Sequence, residues 1–137
     1  MKTLYECVVR YMRTTETGLV KKVNELYLVQ ADDFSDAEAR MIYYIKGYVT
    51  EGDIEIKSIK KSKITETLEG EGSFFKCKLV YLSIDEKTAK KKKTYIYILV
   101  QANDIKYAHS LIEKYNADNI IDSISNIDET NFMDVIL

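Results

Sequence analysis

The sequence predicts an α+β fold built from one unit used twice: an internally duplicated β-β-α-β module, with a mainly antiparallel sheet, two helices and a pseudo-two-fold relation between the halves. Two observations carry this. Tyr5-Glu6-Cys7-Val8-Val9-Arg10-Tyr11 matches Phe75-Lys76-Cys77-Lys78-Leu79-Val80-Tyr81 at an offset of seventy. After the next turn the offset becomes seventy-one, and Leu28-Val29-Gln30-Ala31-Asp32-Asp33-Phe34 meets Leu99-Val100-Gln101-Ala102-Asn103-Asp104-Ile105. Self-similarity at a fixed spacing marks one supersecondary unit repeated. The repeats span about 1–68 and 73–137, joined by the glycine-rich linker Glu69-Gly70-Glu71-Gly72, in a single domain.

Each element has its own signal. Tyr5, Cys7, Val9 and Tyr11 alternate with Glu6, Val8 and Arg10, the period-2 pattern of a strand with one buried face. Thr15-Glu16-Thr17-Gly18 supplies a turn, and a second strand from about Val20 to Val29 completes a hairpin. Phe34, Ala37, Met41, Tyr44, Ile45 and Tyr48 recur at helical spacing. Ser35 with Glu38 forms a capping box, Asp33 is the rival N-cap, and Gly47 marks the end. A third strand contains Ile54, Ile56 and Ile59. The second half repeats the order: strands near 74–84 and 93–101, a helix from about Asp104 to Tyr115, and a strand near 119–128. Ile56-Lys57-Ser58-Ile59 aligns there with Ile121-Asp122-Ser123-Ile124, an offset of sixty-five. A hairpin with one helix per repeat implies helices packed on one face of an antiparallel sheet.

Composition narrows the function classes. At 137 residues, 46% apolar and 31% charged, the chain is an ordinary globular domain without disulfide staples. No apolar run reaches the roughly 18 residues of a membrane span, and the opening Met1-Lys2-Thr3-Leu4-Tyr5-Glu6 lacks a secretory h-region. Cys7 and Cys77 form no C-x-x-C pair and face the apolar way on equivalent strands, so they read as reduced core thiols of a cytoplasmic protein. Nothing predicts catalysis, a metal or a cofactor. His109 is the sole histidine and lies in the second helix, and the glycines form neither a dinucleotide fingerprint nor a phosphate loop.

The net charge of −2 conceals an asymmetry, because residues 115–137 hold five acids and no base, leaving the preceding 114 residues at +3. Lys90, Lys91, Lys92 and Lys93 cover the second hairpin turn and run into Tyr95. Lys21 and Lys22 occupy the corresponding place in the first half. Lys60, Lys61 and Lys63 form another patch, while Arg10, Lys76 and Lys78 alternate with core positions on the first strands. Lysines that follow phosphates beside tyrosines that stack on bases are the chemistry of single-strand binding. The competing reading is that these lysines keep a hairpin tip soluble and a sheet edge unpaired. The C-terminal stretch containing Phe132, Met133 and Asp134 reads as a strand docked on the sheet, or as an acidic-apolar tip that recruits partner proteins.

The Tyr5-Glu6-Cys7 opening with Tyr11, the stretch Lys21-Lys22-Val23 through Ala31, the helix start Phe34-Ser35-Asp36-Ala37-Glu38-Ala39-Arg40 and the ending Met133-Asp134-Val135 resemble a family of short proteins of unknown function from gut Bacteroidetes and their phages. That resemblance implies a protein of the bacterial host cytoplasm and assigns no catalytic residue. A looser architectural likeness links two sheet-plus-helix repeats to the Whirly and coactivator-type single-stranded-DNA-binding folds, which place four strands before each helix. The functional expectation is single-stranded nucleic-acid binding, DNA ahead of RNA, in a phage or bacterial replication or recombination system. The alternative is a protein-interaction or assembly module, a phage accessory or virion component. Either way the expected partners are soluble: nucleic acid, replication or virion proteins at the acidic end, and further copies in a homo-oligomer. No membrane is expected among them.

Overall fold

Alternation over twelve residues makes Thr3–Thr14 the strand β1, and Val20–Ala31 returns beside it as β2 in continuous antiparallel register from Thr3 opposite Ala31 to Thr14 opposite Val20. These are seen in a computed structural model that describes residues 3–49, 52–116 and 121–137. Gly18, at φ +84°, closes the hairpin, where Gly18 N donates to Thr15 O at 2.9 Å. The helix α1, Phe34–Lys46, follows, with β3 at Glu55–Lys61 and β4 at Ile64–Leu68. The second repeat gives β5 (Ser73–Ile84), β6 (Lys91–Ala102), α2 (Ile105–Tyr115), β7 (Ser123–Glu129) and β8 (Phe132–Ile136). The repeat is therefore β-β-α-β-β, α+β as expected, with one strand more than the sequence pattern revealed.

The helices start where the spacing predicted. Asp33 is the N-cap of α1 and accepts from Asp36 N at 2.8 Å, and Asp104 caps α2 by accepting from Tyr107 N at 2.7 Å. Asp33 thus prevails over the Ser35 capping box. Gly47 ends α1 through its N–H on Tyr44 O and Ile45 O.

Two four-stranded sheets result, ordered β3-β1-β2-β8 and β4-β6-β5-β7. The chain forms two compact units, residues 1–62 with 131–137, and residues 63–130. Their boundaries fall beside β4 and β8, because the last strand of each repeat lies in the sheet begun by the other. In the first unit β8 runs parallel to β2, with Leu26 opposite Phe132, a register shift, then Tyr27 opposite Asp134. In the second unit β4 runs parallel to β6, with Tyr97 opposite Ile64, the same shift, then Ile98 opposite Glu66.

Each unit has its own core between sheet and helix. In the first, Tyr5, Cys7, Val9, Tyr27, Val29 and Ala31 meet Ala37, Met41 and Ile45. In the second, Phe75, Cys77, Leu79, Ile98, Val100 and Ala102 meet Ala108, Ile112 and Ile121. Fully burying a side chain such as Met41 or Ile112 stabilises by about 1.5–3 kcal/mol, so one helix face supplies much of each unit's cohesion.

The third-strand alignment needs a correction. Cys7 lies opposite Ile59 and Cys77 opposite Ile127, so β3 and β7 correspond at sixty-eight residues rather than sixty-five. Ile121, Ile124 and Ile127 recur every third residue, and a string match cannot choose between registers that repeat at that interval. Ile121 precedes the strand, held by Asn116, whose Oδ1 accepts from Ile121 N at 2.8 Å. The expected strand start at 119 lies outside the described residues. Linker 69–72 is a tight turn: a Cβ on Gly70 would sit 2.2 Å from Gln101 O, and Gly72 adopts φ +102°.

Candidate nucleic-acid interface and a tyrosine-lined cleft

Alternation decides which basic residues share a surface. On the face of the second unit's sheet away from α2 lie Lys76 and Lys78 of β5, with Tyr95 and Tyr97 of β6. Lys78 stands opposite Tyr97 in the ladder. Lys78 Nζ is 4.3 Å from the Tyr95 ring centroid and Lys76 Nζ 5.0 Å from that of Tyr97, both within cation–π range. Lys93 and Lys91 extend this face along β6, opposite Leu82 and Ile84. Lys92 points to the other face, and Lys90 lies in the turn, where its carbonyl accepts from Asp85 N at 2.9 Å. Tyr95 is 47% exposed, so its ring is open to a ligand.

The remaining basic residues do not join that stripe within one unit. Lys63 immediately precedes β4 in the second unit. Arg10, Lys21, Lys22, Lys60 and Lys61 belong to the first unit. Arg10 Nε donates to Asn24 Oδ1 at 3.0 Å, and Lys60 Nζ lies 4.0 Å from Glu6 Oε1. Lys22 and Lys60 sit on the face with Arg10, whereas Lys21 and Lys61 point to the helix side. The repeat positions matching Lys76, Lys78, Tyr95 and Tyr97 are Glu6, Val8, Asn24 and Leu26, so the first unit lacks a basic-aromatic stripe. Tyr97 was not singled out in advance, although sharing parity with Tyr95 was the signal that could have found it.

At the C-terminus, Phe132 is buried in β8 and Asp134 Oδ2 accepts the Tyr44 hydroxyl at 2.6 Å, while Met133 is 51% exposed. His109 pairs with Glu113 on the exposed side of α2, Nδ1 to Oε1 at 3.3 Å. Cys7 and Cys77 are buried free thiols.

Sequence reasoning missed a cleft of about 530 Å³ in the first unit, where β1 and β2 extend beyond the end of α1. Tyr11, Tyr27, Tyr44 and Tyr48 line it, with Glu25, Arg13 and Met133. Glu25 is almost wholly buried and accepts on Oε1 from the Tyr11 hydroxyl at 2.5 Å and the Tyr27 hydroxyl at 3.2 Å. Burial and these bonds hold the Tyr11 phenol up at about 12 and raise that of Tyr27 as well. The Tyr44 ring meets Tyr27 edge-on at 5.5 Å and Tyr48 at 5.1 Å. Glu25 on the core-facing side of β2 was the available signal, an acid where alternation asks for an apolar residue.

The fold and the two surfaces define an internally duplicated α+β protein with one strand of each repeat exchanged between two sheets. The chain belongs to the family described as Domain of unknown function (DUF4494), whose pattern matches residues 3–137. No curated protein and no solved structure matches it. Two strands precede and two follow each helix, an order different from the four-strands-then-helix arrangement of the Whirly-type folds. No described helix is long and apolar enough to cross a membrane.

Proposed function

We propose that the protein binds single-stranded nucleic acid, DNA in preference to RNA, through the basic-aromatic stripe on the sheet face of its second unit away from α2. The observation that supports this reading is the stripe Lys76, Lys78, Tyr95 and Tyr97, continued by Lys93 and Lys91 toward the hairpin tip. Lysines at successive same-face positions are about 7 Å apart along a strand, a spacing close to that of phosphates in an extended single strand. The tyrosines between them offer stacking surface that any base satisfies. Lys90 in the turn and Lys92 on the opposite face add charge at the tip outside the stripe. In this reading the protein serves a phage or bacterial replication or recombination system in the host cytoplasm.

The test is a mobility shift with labelled single- and double-stranded oligonucleotides at low salt. If about five phosphates are neutralised, log affinity falls against log salt with a slope of roughly −3.5. Lys78→Gln with Lys93→Gln is expected to flatten that slope by roughly 0.7 for each lost contact. Tyr95→Ala is expected to cost about 1–3 kcal/mol of binding. Tyr95 is half exposed and outside the core cluster, so the fold should survive. An unmodified protein that retards no oligonucleotide at low salt overturns the proposal.

A second reading, assembly through sheet edges, has its own observation. The end strand β3 carries Lys57, Lys60 and Lys61 against Glu55, while the end strand β7 carries Asp128 and Glu129 and no base. Opposite charge on two open edges favours β3 of one copy meeting β7 of another, a head-to-tail contact that yields rings or filaments. Light scattering at tens of micromolar distinguishes this from a monomer, and high salt should dissociate the assembly. Recruitment of other proteins through the C-terminus would fall to Met133, because Phe132 is buried and Asp134 is bonded to Tyr44.

A further inference from the structure

Glu25 poses a physical problem that the nucleic-acid reading does not address. Its side chain is almost wholly buried, and among the described residues it forms no ion pair. A buried carboxylate normally requires a compensating cation. Two tyrosine hydroxyls serve its Oε1, and no hydrogen bond reaches Oε2 among the described residues. The group lines an open cleft rather than a closed core.

The second repeat provides an internal comparison. Its residues at the Glu25 and Tyr27 positions are Ile96 and Ile98, on the corresponding strand in the corresponding register. Ile98 is fully buried and Ile96 packs against that unit's core. The same fold therefore closes with two isoleucines at this place, and nothing in the architecture demands a carboxylate ringed by phenols. Tyr48 adds a further ring, 69% exposed at the mouth and packed on Tyr44, a large solvent-facing aromatic that contributes little to the core.

From these features we infer that the cleft is a binding site for a small organic ammonium compound, an alkylated or quaternary amine. Aromatic faces attract such cations through their quadrupoles, and several rings around one carboxylate form the cage that recognises them. A metal ion fits less well, since no group of three His, Cys, Asp or Glu side chains among the described residues could hold one. An anion is excluded from the inner end by Glu25 itself. Arg13 also lines the cleft, exposed to solvent, and its charge reaches the Tyr11 phenol, so it opposes a cation beside it and leaves the Glu25 end as the place for the ammonium group. The cavity volume of about 530 Å³ suits a compound of choline's size with bound water to spare. Because this site lies in the first unit, it stands or falls independently of the nucleic-acid proposal.

The experiment titrates the whole protein with choline and tetramethylammonium, and with 3,3-dimethylbutanol as choline's uncharged isostere, following tyrosine ring resonances. Expected is saturable binding of the two cations with a dissociation constant on the order of 1 mM or tighter, with shifts at Tyr11, Tyr27, Tyr44 and Tyr48 and none at Tyr95. The neutral isostere should bind at least about tenfold more weakly, because it lacks the charge that both cage and carboxylate recognise. E25Q, nearly isosteric and still an acceptor for both hydroxyls, should weaken choline about tenfold or more. Y48A removes an exposed ring outside the core and keeps the test alive if E25Q fails to fold; it should weaken choline a few-fold. Unsaturable titrations, equal binding of the isostere, or unchanged choline affinity in folded E25Q or Y48A protein would each overturn the inference.

Discussion

Among the described residues four tyrosine hydroxyls end on carboxylates: Tyr11 and Tyr27 on Glu25, Tyr44 on Asp134, and Tyr115 on Glu66. A phenol that donates to a carboxylate resists ionisation, since losing its proton would set two negative charges together. Burial and the Glu25 bond put Tyr11 at about 12, and the bond to Glu66 followed by burial does the same for Tyr115, against an ordinary 10.0. The native state therefore holds protons that the unfolded chain has released between pH 10 and 12, so this stabilisation is complete below pH 10 and is lost as pH rises toward 12. Denaturant titrations from pH 8 upward should show stability falling across that interval, alongside late phenol ionisation at 295 nm. Stability unchanged through that range would contradict the hydroxyl–carboxylate pairs. The thiols permit a sharper test. Burial pushes Cys7 up to about 11 and Cys77 to about 12, so neither should react with a thiol reagent at pH 8 until denaturant is added. Their burial was legible in the sequence, because Cys7 and Cys77 share parity with the large apolar residues of their strands. The Tyr44–Asp134 bond was not, since its partners are ninety residues apart and meet only through a strand that returns to the first sheet.

At the scale of elements, hairpins and helices were readable because their signals are local: alternation over twelve residues, acids at the N-caps, and glycine past the end of α1. Replacing Asp33 or Asp104 with alanine should each cost about 1 kcal/mol, read as a lower denaturant midpoint at unchanged slope. The fourth strand of each repeat was harder to recognise. Ile64–Leu68 is only five residues long, with charged and hydroxyl side chains between its apolar ends, and it pairs far away in sequence. Without β4, residues 69–72 read as a linker when they form the turn into β5. The glycines separate the two descriptions. Gly18 also has positive φ, yet a Cβ there meets nothing within 4 Å, whereas at Gly72 it would lie 2.6 Å from Ala102 O. Gly18→Ala should therefore cost about 1–2 kcal/mol from the left-handed backbone alone. Gly72→Ala should cost clearly more, because backbone must also shift. Equal midpoints for the two variants would mean that 69–72 behaves as a free linker after all.

For the whole molecule, the reciprocal placement of β4 and β8 is the feature with the widest consequence. The two strands are interchangeable in kind: Ile64 matches Phe132 in register, Glu66 matches Asp134, and Leu68 matches Ile136. Tyr115 donates to Glu66 as Tyr44 donates to Asp134. The chain leaves each unit at matching points too, where Ser62 N donates to Leu4 O at 2.8 Å and Thr130 N to Phe74 O at 2.9 Å. A single repeat therefore carries every part of a unit, but its last strand belongs in a second sheet. From Ser62 to Ile64 there is too little chain for β4 to cross both β1 and β2 and lie parallel to β2 at the far edge of its own sheet, where β8 now sits. The same chain can reach β2 of a neighbouring copy. A fragment of residues 1–71 should thus fold as a homodimer that exchanges β4 strands, with Glu66 taking Asp134's place beneath Tyr44. Light scattering should give twice the fragment mass, and Tyr44→Phe together with Glu66→Ala should loosen the dimer. Truncation before Ile64 should leave the fragment unable to dimerise and largely unfolded, since it leaves unpaired the β2 edge that β8 now covers. A fragment 1–71 that is monomeric, whether folded or not, would show that β4 and β8 are not equivalent.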